Sequence, residues 1–258
     1  MGPLEQLYVS APLWVLGLLI FFGMMLAREV GAWISRRGFK ASTQGAPEPE
    51  PFLVGAALSV LALLIGFTFS LALTRYDSRR VLVVHEANAL GTTWLRTDLL
   101  DAPARDDMRR ALRAYIDARV AWGSSQNAVE EANAARKSDA LQARFWKAMV
   151  VAVEPVRTTA LGGLVVSTSN ESIDVAAERV AERQAHIPVR IFRMLTIFAF
   201  VAAAMVGYHR GAHRHATTVL FLLLTLAITL VIDLDRPTTG LITVPQQPML
   251  DLQRSVAQ

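Results

Sequence analysis

The chain has 258 residues, 53% of them hydrophobic, with a mean hydropathy of +0.34, a formal net charge of +4 and no cysteine. That composition is too apolar for an ordinary soluble domain and too charged for a pure membrane bundle, so apolar and charged residues must be segregated along the chain. The missing cysteines exclude a disulfide framework, a thiol nucleophile and a thiolate metal site.

Residues 12–34 predict a first membrane span. Arg28 and Glu29 stand close to its end, where a long side chain reaches the headgroups while its stem stays in lipid. No basic region precedes this run, whose only upstream charge is Glu5, so it is not expected to be a cleavable signal. Residues 52–73 carry no charge and are long enough to cross a hydrocarbon layer of roughly 30 Å as a second helix. From Thr74, Arg75, Tyr76 and Asp77 the helical pattern continues without a breaker to about Leu100, which predicts one helix that leaves the bilayer as a stalk. Asp101 and Pro103 signal a new helix, and Asp106 and Asp107 suit the positive end of its dipole. Met108, Leu112, Tyr115, Ile116 and Val120 share one face of it, and Gly123, Ser124 and Ser125 end it. A further helix runs from about Ala128 to Val153, carrying Leu141, Phe145, Trp146 and Met149, and Pro155 closes it.

The pair Gly162 and Gly163 predicts a bend before a last helix from about Ser172 to Gln184. His186, Ile187 and Pro188 then interrupt the chain, because the residue before proline is pushed out of helical geometry. A third span at about 189–208 keeps Arg190 and Arg193 at the interface or against protein, and a fourth occupies about 216–232. The expected architecture is therefore an all-α membrane protein with four spans, two plus two. Its parts are a first hairpin in 1–73, an extramembrane helical domain in 74–187, a second hairpin in 188–234 and an irregular tail in 235–258.

The insert holds sixteen Lys or Arg against fifteen Asp or Glu, a balance that argues against nucleic acid, whose phosphates demand clustered positive charge. His209 and His213 have a metal-pairing spacing, yet no carboxylate lies in that connection and Arg210 and Arg214 repel a dication, so a basic rim at the headgroups is the preferred reading and no metal is expected. His85 and Glu86 are adjacent on the stalk and do not face each other as an acid–base pair. Nucleophile elbows, phosphate-cradling loops and dinucleotide fingerprints are missing, so neither catalysis nor a cofactor is expected.

The second span is the most specific segment. Gly55, Ser59, Ala62, Leu63, Gly66, Phe67, Ser70 and Thr74 lie on one side of its helical wheel, with Val60, Leu61, Leu64, Ile65 and Leu71 mostly on the rest. A small-residue side has two readings. It is a packing surface on which membrane helices approach closely. Alternatively it is a pore wall: several copies surround an axis, hydroxyls line a water path, and Ser59, Leu63 and Phe67 narrow it, with Gly55, Gly66, Ser70 and Thr74 as further lining.

The run from Gly66 through Phe67 to Thr74, Arg75 and Tyr76 resembles the second membrane helix of bestrophins, the pentameric anion channels. His186-Ile187-Pro188-Val189 resembles their Ile-Pro start of the third span, and the order of elements is shared. Glu86-Ala87-Asn88 and the ending Asp233-Leu234-Asp235-Arg236-Pro237 are similar to the bacterial bestrophin-like proteins. The resemblance implies a homopentamer in a lipid bilayer passing small anions, chloride among them. Its neck would fall on Ser59, Leu63 and Phe67, of which only the phenylalanine keeps the family's residue, so Ser59 makes the neck wetter. Phenylalanine rings presented edge-on would favour an anion. Where the family carries a calcium-binding acidic run, only Asp233 and Asp235 remain beside Arg236, too few oxygens for a calcium site and better read as a pair that pins the helix end. The tail after Gly240 would wrap a neighbouring subunit, as it does in that family.

Sidedness carries two opposed signals. Arg28, Arg36, Arg37, Lys40, Arg210 and Arg214 on the short connections place those connections in the cytoplasm, which puts the insert outside. The resemblance instead puts the insert and both termini in the cytoplasm of a bacterium, and that choice is the one adopted. The expected function is an oligomeric anion channel of the bacterial cytoplasmic membrane; the competing expectation is a non-conducting membrane scaffold or sensor whose helical domain binds a partner.

Overall fold

The computed structural model describes residues 11–41, 51–209, 214–238 and 240–257, and every secondary-structure element among them is helical. The α-helices are α1 (Leu13–Ala41), α2 (Pro51–Arg96), α3 (Ala104–Gly123), α4 (Ala128–Val153), α5 (Ala160–Gln184), α6 (Val189–Tyr208), α7 (Arg214–Asp235) and α8 (Gln247–Ser255). Four stretches, within Leu13–Arg37, Phe52–Leu99, Ala160–Tyr208 and Arg214–Asp235, are long and apolar enough to cross a membrane, as the four-span reading expects. The chain divides into two compact units.

The first unit holds α1, α6, α7 and the apolar part of α2 through Thr74. Leu16, Ile20 and Met24 of α1 are buried, as are Phe192, Leu195, Ala199 and Ala203 of α6 and Phe221, Ile228 and Val231 of α7. Close approach of α1 to α6 is licensed by two glycines. A Cβ on Gly31 would collide with the carbonyl of Ala204, and one on Gly207 with the carbonyl of Arg28. At the end of α7 the charged residues serve the backbone. Asp233 accepts from the amides of Leu241 (2.7 Å) and Ile242 (3.2 Å), and Asp235 accepts from the Ile187 amide (3.0 Å), 3.5 Å from His186 Nδ1. Arg236 donates to the Ala11 carbonyl at 2.7 Å.

The second unit holds the remainder of α2 together with α3, α4, α5 and α8. Its core joins Val83 and Leu90 of α2, Met108, Leu112, Tyr115 and Ile116 of α3, Phe145 and Met149 of α4, Val165 and Ala176 of α5 and Met249 of α8. Tyr115 stacks on Phe145 at 6.0 Å and donates to Gln142; burial pushes its phenol above the ordinary tyrosine value. At the start of α4, Asn127 accepts from the Glu130 amide and Glu130 reaches back to the Gln126 amide, a reciprocal cap.

Two sequence expectations are corrected. The helix expected from Ser172 begins twelve residues earlier, at Ala160, and Gly162 and Gly163 lie in its first turn rather than at a bend. Thr159 caps it through the Gly162 amide, and a Cβ at Gly162 would strike the Val156 carbonyl, so the glycine serves tight entry into the helix. The tail expected to be irregular contains α8, which begins with proline in its first turn and buries Met249 completely.

Candidate pore helix

The apolar half of α2 is two-sided within the single chain. Leu61, Ile65, Thr68 and Ala72 are buried in the first unit. Gly55, Ser59, Ala62, Leu63, Gly66, Phe67, Ser70 and Thr74, which share one side at the helical period, are all exposed. Leu63 is 57% and Phe67 67% exposed, and a Cβ added at Gly55 or Gly66 would meet nothing within 4 Å. Only 11% of the most apolar window of this span is buried, against 22, 33 and 44% for the other three, so α2 is the span that the chain itself covers least.

The polar groups of the exposed side are hydroxyls, and two of them have their protons already used. Ser59 donates to the Gly55 carbonyl and Thr74 to the Ser70 carbonyl, each at 2.9 Å, so both present oxygen lone pairs outward. An anion beside Ser59 gains a donor only when the hydroxyl turns away from Gly55. No charged side chain lies on this side before Arg75, whose guanidinium stands 3.7 Å from Glu182.

The second unit contains an arrangement that motif searching misses. Glu86 is completely buried, and its two carboxylate oxygens accept separately from Arg119 and Arg179; Arg179 also donates to Gln246. The guanidinium carbons of Arg119, Arg179 and Arg183 lie 4.4, 5.1 and 4.4 Å from the ring centroid of Trp122. A signal for this was present: Leu82, Val83, Glu86, Ala87, Leu90 and Thr93 follow the helical period, which puts a carboxylate on the apolar side of its helix. His85, its neighbour, is exposed. His213 lies outside the described residues, and no group of three or more His, Asp or Glu able to hold a metal is present among the described ones.

The sequence model of the Bestrophin-like domain matches residues 13–249. Three structures of a bacterial bestrophin homologue from Klebsiella pneumoniae are similar in fold. One is 15% identical with a TM-score of 0.66, covering 92% of this chain and 97% of that one. Two variants of it are each 14% identical: one has a TM-score of 0.69, covering 95% and 97%, and the other 0.65, covering 92% and 97%. No curated protein matches the chain.

Proposed function

Since the chain belongs to the bestrophin-like family and is an integral membrane protein, we propose that it assembles as a homopentamer and passes small anions, chloride among them, along an axis lined by α2. The observation that carries this reading is the exposed side of α2: small, hydroxylated and apolar residues alternate on the span that the rest of the chain covers least. In the proposed assembly Ser59, Leu63 and Phe67 form the neck, and Gly55, Gly66, Ser70 and Thr74 line the path beyond it. Conduction past such a neck is limited by dewetting between the Leu63 and Phe67 rings of side chains, and Ser59 lowers that barrier by holding water. Anion preference is what family membership implies; the neck itself contributes neutral groups, so the energetic cost of dehydration sets which ions pass. The helical domain, residues 74–187, is placed in the cytoplasm of a bacterial cell, with an irregular segment and α8 following the last span.

Reconstitution into liposomes tests this. Chloride flux is expected from the wild-type protein, and Leu63→Ala and Phe67→Ala should widen the neck and raise it severalfold. Silence of all three proteins would remove the channel reading and favour the scaffold. For sidedness, alkaline phosphatase fused after Gln258 is expected to be inactive, and activity there would overturn the cytoplasmic placement.

A further inference from the structure

The second unit contains a cavity of about 190 Å³ lined by both charged and apolar side chains. Arg79, Arg179 and Arg183 line it together with Val83, Trp122 and Val244, the Trp122 ring lying against the guanidiniums of Arg179 and Arg183, and no acidic residue lines it among the described residues. The three arginines are 4, 4 and 8% exposed. Arg79 is held by the carbonyls of Glu182 (3.2 Å) and Ala185 (2.6 Å). Arg183 donates to the Trp122 carbonyl at 3.2 Å and to Ser125 Oγ at 2.8 Å; its buried Nε has no aligned hydrogen bond, although Glu131 Oε1 lies 2.9 Å away.

Charge in this region does not close. With Arg79 left out of the count, Arg119, Arg179 and Arg183 surround Trp122 and are met by the carboxylates of Glu86 and Glu131. Three guanidiniums therefore face two carboxylates, and Glu131 is partly solvated, at 29% side-chain exposure. Glu130, the next acid, is exposed and occupied in capping α4. A buried surplus cation is costly unless an anion compensates it.

We propose that this cavity binds a small aliphatic carboxylate. The planar guanidinium fork matches a carboxylate better than it matches a halide, a single spherical acceptor without the two coplanar oxygens that take the paired N–H groups. Val83, Trp122 and Val244 of the same lining receive a short hydrocarbon tail. The volume falls below the roughly 300–1,000 Å³ of sites for drug-sized ligands, which limits the ligand to a few carbons. This site is independent of conduction, because its readout is binding.

The test is thermal unfolding of the purified full chain in detergent, titrated with sodium butyrate at constant ionic strength. The neutral isostere butyramide and inorganic phosphate serve as comparisons. Butyrate is expected to raise the midpoint saturably while butyramide does not. Ser124→Trp, at an exposed position on the rim, should keep the ligand-free midpoint and weaken butyrate at least tenfold; Arg183→Lys should also weaken it. The proposal is overturned by absence of a saturable butyrate shift, by an equal response to butyramide, by an equal response to phosphate, or by Ser124→Trp titrating like the wild type.

Discussion

Glu86→Gln removes one negative charge from between two buried guanidiniums and changes almost nothing else, since glutamine has nearly the same shape. The carboxylate is 0% exposed, and its partners Arg119 and Arg179 are 3 and 4% exposed, so bulk water screens the pair little. Each carboxylate oxygen serves a different arginine, and a glutamine presents one acceptor and one NH₂ group, so one guanidinium is left facing a donor. Breaking a buried ion pair from one side costs about 3–5 kcal/mol, because the surviving charge stays desolvated. At about 2–4 °C per kcal/mol for a chain of this size, the unfolding midpoint in detergent should fall by about 6–20 °C. The complementary variant replaces Glu86, Arg119 and Arg179 together by Met, Leu and Leu, and should recover most of that loss, since well-packed apolar groups can replace a buried triad at little net cost. A Glu86→Gln midpoint within 2 °C of wild type, or a triple variant less stable than the single one, would refute the reasoning that the carboxylate is needed to neutralise its partners.

Three other outcomes follow from the packing. Met249→Ala should cost about 2–5 kcal/mol, because α8 anchors in the second-unit core through this one fully buried side chain; chemical unfolding measures it. Asp235→Ala should destabilise by about 1–3 kcal/mol by leaving the buried Ile187 amide without its acceptor, whereas Asp235→Asn, which keeps one carbonyl oxygen, should cost less; the two midpoints are compared directly. Gly31→Val should abolish a monodisperse peak in size-exclusion chromatography, since its side chain meets the Ala204 carbonyl of α6, while Gly163→Ala, with open space around it, should elute like wild type.

The elements were readable where hydrophobic period and punctuation agree. Long apolar runs announce the spans, and α4 runs from Ala128 to Val153 with Pro155 just beyond it, as its sequence suggests. The start of α5 was obscured because two adjacent glycines usually mark a turn, while here Thr159 supplies the cap and Gly162 fits beneath the Val156 carbonyl. The helix α8 was hidden by its length: nine residues with one apolar anchor are below what propensity alone can stabilise, so its helicity comes from packing. Charge-based reading also failed at Glu86, Arg119 and Arg179. Each looks like a solvated residue until its position on the apolar period of its own helix is noticed, and the partners lie on three different helices. For α2, the spacing dictates which residues share a side. What that side faces is a property of the assembled molecule, and no pattern within one chain encodes it.

The absence of cysteine makes the decisive measurement clean. Single cysteines placed in turn at Ser59, Leu63 and Phe67, and at Leu61, Ile65 and Ala72 on the buried side of α2, are exposed to a charged, water-soluble thiol reagent while chloride flux is recorded in liposomes. The account predicts rapid modification and block at the first three positions and none at the other three. Equal inertness of Ser59, Leu63 and Phe67 in a protein that still carries chloride would contradict it, because the ions would then be crossing somewhere other than along this helix.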